Sequence, residues 1–173
     1  LNHNQYYQFV IIQTDNIDYD LNIAKSNKIQ NFTSSVLTSA SGEVVMINKN
    51  FTKGLSLRGY AENDYKKLDI FKNIDFENND NLFKEKNIII GKELSFDLGL
   101  GIGDKVLLMS PIGEDTIIGN LPKQESYMIS YVFESGLLEF DQNVAFVNIN
   151  SLENLLNLNK AQRNIEIYLK SPL

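Results

Sequence analysis

Two prolines, Pro111 and Pro122, bracket ten residues that carry two glycines and three large aliphatic side chains near their apex, Ile117, Ile118 and Leu121. Proline has no backbone N–H to donate and fixes φ, so neither position suits the middle of a central strand. The segment is therefore expected to run as an edge or a free arm with a stiffened base, holding its tip away from the body. An apolar tip so held needs a cover or a partner, because grouped apolar side chains on a surface mark interaction sites.

The rest of the chain limits what that partner is. Its 173 residues, 43% hydrophobic and 22% charged, suit one folded domain or two small lobes with a real core. The formal net charge is −6 and the 16 Lys and Arg residues are scattered, Lys66 and Lys67 being the only adjacent pair. Nucleic acid, which wants clustered cations, is thereby disfavoured. Cysteine is absent, which removes disulfides and thiolate chemistry and leaves the redox compartment unread. The longest near-continuous apolar runs, Phe9 to Ile12 and Val106 to Met109, are far too short for a spanning helix. No basic start followed by an apolar stretch marks a signal peptide, and the chain reads as a piece of something longer.

Strands are expected where β-branched and aromatic residues cluster or alternate: Tyr6 to Gln13, Gly42 to Asn48, Gly54 to Tyr60, Asn87 to Ile90, Asp104 to Met109, Tyr127 to Phe133, Asn143 to Ile149 and Asn164 to Leu169. Helical spacing appears after Asp18 and Asp20, which are placed to cap a helix, around Asn63 to Phe71, over Lys92 to Leu98, and in a last helix capped by Asn150 or Ser151. Strand, helix, strand thus occurs at both ends. The simplest arrangement pairs those ends into one α/β lobe and leaves a smaller β-rich lobe in the middle. It would also bring the two termini to one side, as suits an inserted domain.

Catalytic chemistry is thin. Gly99, Gly101 and Gly103 have the spacing that opens a dinucleotide-binding loop, and a nucleotide-dependent enzyme using Gly99 to Gly103 is the reading from a different class. That fingerprint should follow a strand and open a helix, whereas here it follows a helix and opens a strand, so a helix cap and turn is the simpler reading. Carboxylates pair at Asp18 and Asp20, Glu114 and Asp115, and Glu139 and Asp141, with nothing to set one pair apart from a solvated face. The run through Asp15, Asn16, Asp18 and Asp20 lacks the glycine and distal glutamate of a calcium loop, and no metal or cofactor is assigned. His3, the only histidine, sits near the chain end, where a general base is improbable.

Further residues carry a resemblance. They are Leu57-Arg58-Gly59, Ile88 to Leu94 leading into Leu98 to Val106, Leu108 to Pro111, Phe133 to Gly136, Glu139-Phe140-Asp141, Ala145-Phe146-Val147, and the helix with Leu152, Leu155 and Leu156. Over most of its length the chain resembles the large periplasmic domain of the transmembrane subunits of the lipoprotein-releasing ABC transporter, the LolC/LolE type.

The resemblance implies an α+β fold, a MacB-like periplasmic domain. Its βαβ-repeat, Porter-like α/β lobe would come from residues 1–50 plus 143–173, and its smaller β-rich, Sabre-like lobe from 51–142. It implies a LolC-like hook over 111–122, running through Ile117, Ile118, Asn120 and Leu121, with the motif matched at Pro111, Thr116, Gly119, Pro122 and Gln124. That hook is expected to capture the periplasmic carrier LolA at the mouth of its lipid-binding barrel. Base residues Lys123, Gln124 and Glu125 would touch the carrier's back, although Glu125 stands where a basic residue is frequent.

The other implied partners are a second permease subunit, a cytoplasmic ATPase subunit that hydrolyses ATP, the lipoprotein substrate, and the inner membrane through flanking helices. The domain itself would be periplasmic and not an enzyme. A MacB-type efflux domain or an FtsX-type permease domain is the nearest alternative.

Overall fold

The computed structural model of the chain describes residues 9–13, 16–26, 31–49, 51–61, 63–76, 81–117 and 119–170. They fall into two compact units, residues 1–39 with 159–173, and residues 40–158. His3 and Ile118 lie outside the described residues.

The first unit is a three-stranded antiparallel sheet. Its central strand β8 (Asn164–Leu169) has β1 (Phe9–Gln13) on one side and the first part of β2 (Thr33–Asn48) on the other. Phe9 lies opposite Tyr168, so the described ends of the chain leave side by side. Helix α1 (Ile17–Ala24) starts at Asn16, whose side-chain oxygen accepts the Tyr19 N–H at 3.2 Å. Asp18 and Asp20 thus lie within the first turn, where their charge favours the helix dipole, and do not form the cap. Ala24, with Ile17 and Leu21 half-buried beside it, packs on Val36, Ile165 and Ile167.

The second unit contains β3 (Phe51–Tyr60), β4 (Asn87–Gly91), β5 (Lys105–Thr116), β6 (Gly119–Phe133), β7 (Val144–Asn148) and the rest of β2. The strands run in the order β2-β3-β7-β4-β6-β5, and β5 pairs again with β2, Leu107 to Met109 against Val45 to Ile47, so the sheet closes into a ring. Closure removes the exposed edges that would otherwise invite association. β3 with β7 and β4 with β6 are parallel. β4 and β5, separated by helix α2 (Lys92–Leu98), do not neighbour each other, since β6 stands between them.

Alternate residues of each strand face the inside of the ring. Met46, Leu57, Ile88, Ile90, Leu108, Ile129 and Val147 form a core that Leu152, Leu155 and Leu156 of helix α4 (Ile149–Leu156) complete. Residues of opposite parity meet a layer of rings: Phe146 lies 5.1 Å from Phe71 and 5.2 Å from Phe133, and Tyr65 stacks on Phe83 at 3.7 Å. Single 3-10 turns over Tyr65–Lys67 and Asp69–Phe71, and helix α3 (Leu138–Asn143), supply that layer. β4 is accordingly buried at all five positions, which is why it reads as an uninterrupted apolar run.

The division of the chain differs from the expected lobes 1–50 plus 143–173 and 51–142. β7 pairs with β3 and β4, and α4 enters the ring's core, so both belong with residues 40–158 and not with the chain ends. Helix α4 also starts two or three residues earlier than expected. Asn148 caps it by accepting the Asn150 N–H at 2.9 Å, and Ser151 is buried within it.

Candidate docking arm

β5 and β6 pair from Lys105 opposite Met128 as far as Thr116 opposite Gly119. Through Met109 the strand β5 also has β2 as a neighbour; beyond it, among the described residues, only β6 pairs with it. The outer part of the hairpin is therefore a two-stranded ribbon. Its register shifts between Met109, opposite Gln124, and Gly113, opposite Pro122, so that β5 places three residues where β6 places one. This bulge falls on Ser110, Pro111 and Ile112. The buried Ser110 supplies local bonds in place of the ladder: its Oγ donates to Ile112 O at 2.7 Å and accepts the Ile112 N–H at 3.2 Å.

Both prolines thus lie within paired strands and do not terminate them. The bulge exempts Pro111 from the ladder, and a ribbon without a third strand tolerates Pro122. Gly119, at φ +116°, makes the sharp return that a residue with a side chain adopts only under strain. Ile117 at the apex is fully exposed, and Leu121 is 48% exposed. Ile112, inside the proline bracket, is also 68% exposed, although sequence reasoning passed over it. Thr116 and Asn120 are placed by their backbones, opposite Gly119 and Asp115 respectively.

The base residues are spoken for within the chain. Lys123 donates to the Asn154 carbonyl at 2.6 Å, where helix α4 has run out of intrahelical partners. Glu125 accepts Lys86 Nζ at 2.5 Å and the Tyr127 hydroxyl at 3.0 Å. Burial, and then the Glu125 carboxylate beside it, push the Tyr127 phenol far above its ordinary value. Gln124 is exposed, with its amide 3.6 Å from Met109 Sδ.

The glycine loop turns out to be internally bonded. Gly99 caps α2 in the left-handed conformation at φ +61°. The N–H groups of Gly99, Leu100, Gly101 and Gly103 go to Phe96 O, Ser95 O, Asp104 Oδ2 and Ile129 O. Donors that would cradle a phosphate are thus committed elsewhere. Of the paired carboxylates, Asp141 is buried and accepts the Ser135 N–H and hydroxyl, holding the turn before α3, while Glu139 is exposed. Among the described residues no group of His, Asp and Glu could hold a metal ion, and no helix is long and apolar enough to cross a membrane.

No family model matches the chain. It is similar to the lipoprotein-releasing system transmembrane protein LolC of Xylella fastidiosa (strain Temecula1), 32% identical over 74 residues, which are 43% of this chain and 18% of that protein. The LolC of Neisseria meningitidis serogroup B is 26% identical over 136 residues, 76% of this chain and 32% of that protein. The fold is that of the periplasmic region of MacB from Actinobacillus actinomycetemcomitans, with a TM-score of 0.53 and 11% identity, covering 94% of this chain and 68% of that one. The extracellular domain of the noncanonic ABC-type transporter YknZ from Gram-positive bacteria gives a TM-score of 0.55 and 16% identity, covering 95% of this chain and 84% of that one. In sequence the chain is thus similar to LolC, and in fold to the periplasmic region of MacB. It spans less than a third of the length of the LolC relatives it matches. Among the described residues the arm carries the most exposed large apolar side chain, Ile117.

Proposed function

We propose that this domain belongs to a permease that releases lipoproteins from the inner membrane, and that its arm docks the periplasmic carrier LolA so that lipoprotein can be handed over. Residues 111–122 form the contact, with Ile117, Ile118 and Leu121 seated at the mouth of the carrier's barrel and Ile112 beside them. ATP is hydrolysed in a separate cytoplasmic subunit, and a second permease subunit completes the channel.

The observation that carries this reading is an apolar tip on a two-stranded ribbon that no described residue covers: Ile117 is fully exposed, Ile112 68% and Leu121 48% exposed. Each such side chain contributes about 1.5–3 kcal/mol on full burial, enough for a few of them to anchor a transient complex. Buried area does not fix affinity, because association also costs lost rigid-body freedom.

Titration of the 173-residue chain with purified LolA tests the reading, repeated with Ile117, Ile118 and Leu121 replaced together by Ser. The triple variant should bind at least about tenfold more weakly, a difference of about 1.4 kcal/mol, at an unchanged melting temperature. Equal binding by parent and variant sinks the docking reading, and preference for an efflux-pump adaptor over LolA would favour the MacB-type alternative.

A further inference from the structure

The root of the arm contains an arrangement that the tip does not explain. Lys86 adopts φ +63°, a left-handed backbone that residues with side chains rarely accept. Its carbonyl accepts the Met128 N–H at 2.8 Å, which anchors the turn before β4 to β6. From there its ammonium reaches Glu125 Oε2 at 2.5 Å and lies 5.4 Å above the Tyr127 ring. Glycine would fit this backbone without strain, yet a lysine occupies it, and its side chain is the part engaged with β6.

Lys123, Glu125 and Tyr127 are spaced two apart and so share one face of β6. Each is held by another part of the unit: Lys123 by Asn154 O at 2.6 Å, Glu125 by Lys86, and Tyr127, whose hydroxyl also lies 3.2 Å from Ser151 O, by helix α4. The Glu125 side chain is mostly buried at 15% exposure, while Gln124 and Ser126 on the opposite face are exposed. These bonds sit just below the bulge at Ser110 to Ile112, where a two-stranded ribbon is otherwise free to bend.

We propose that Lys86 and Glu125 are positioning residues, a clamp that fixes the direction of the arm and so presents its tip preorganised to the partner. Glu125 thereby serves the arm from within the domain and makes no contact with the carrier. The effect on docking rests on the LolA reading; the effect on the order of the arm does not. Preorganisation raises affinity by removing the ordering that binding would otherwise require.

Lys86→Gly is the informative variant, since it deletes the clamp while glycine keeps the left-handed turn. In 15N relaxation of the 173-residue chain, the Gly119 amide should fall from a rigid order parameter near about 0.85 to below about 0.6, with β4 and β7 unchanged. Its affinity for LolA should drop about fivefold, and Lys86→Arg should retain both properties within about twofold. A Gly119 amide as ordered in Lys86→Gly as in the parent overturns the proposal, whatever the carrier does. Loss of carrier binding in the tip variant with parental binding by Lys86→Gly overturns the positioning role alone. Indifference of the carrier to both variants removes the docking reading and leaves the relaxation measurement to decide the clamp.

Discussion

The two halves of one hairpin behave as different materials. From Leu107 to Met109, β5 lies between β2 and β6, and Val106 and Leu108 are buried in the core of the ring. From Gly113 to Thr116 the same strand has only β6 beside it, and the neighbouring Ile112 and Ile117 face solvent. Both halves are extended, and Ile112 and Ile117, which flank the outer one, are as apolar as Val106 and Leu108 of the inner one, so side-chain character does not decide which of them is buried. The number of neighbours does: a third strand and a helix give the inner half a place to bury its side chains, and the bulge carrying Pro111 marks where that support ends.

If this contrast is real, substitutions should divide along it. The largest effect belongs to Leu108→Ala, which empties a fully buried position in the ring; urea denaturation should show a loss of about 2–5 kcal/mol. A loss below about 1 kcal/mol there would mean that the inner half is no better packed than the arm. A smaller, local effect is expected of Gly119→Val, where a β-branched side chain meets φ +116°. The strain, about 1–3 kcal/mol, should appear as faster hydrogen exchange along 113–122 and leave exchange in β4 and β7 unchanged. Global destabilisation would instead tie the arm to the ring.

The smallest effect lies at the seam, where Tyr127 is buried beside Glu125. Its folded pKa is raised above the ordinary 10.0 because burial, then Glu125, disfavours the phenolate. The unfolded chain therefore loses this proton first as pH rises, so the stabilisation is whole below pH 10 and declines above it. Denaturation midpoints should fall above that pH, and Tyr127→Phe should flatten the decline attributable to this residue.

Much of the local structure was legible. Helix α2 runs from Lys92 to Leu98 and β8 from Asn164 to Leu169, both as periodicity predicts, and Gly99 is the expected left-handed cap. The weight given to Pro111 to Pro122 also pointed to an exposed apolar tip, because proline and glycine act through their own backbones. What the prolines do inside the hairpin was not legible. The strand expected to end at Met109 runs on to Thr116, and Pro111 is absorbed by a bulge of two extra residues whose bonds come from Ser110. The helical stretch expected over Asn63 to Phe71 is two separate 3-10 turns, whose Phe71 is fixed by contacts with rings distant in sequence.

The sequence by itself determined most of the strands and helices, that no cysteine chemistry is present, and that one proline-bracketed segment carries large apolar side chains. Those properties depend on residues within a few positions of each other. Tertiary structure alone decided that β6 separates β4 from β5, that β7 and α4 join the ring, and that Glu125 faces Lys86. The reason is that pairing order and side-chain partners are settled by which distant surfaces can be buried together, a choice that short-range periodicity does not encode.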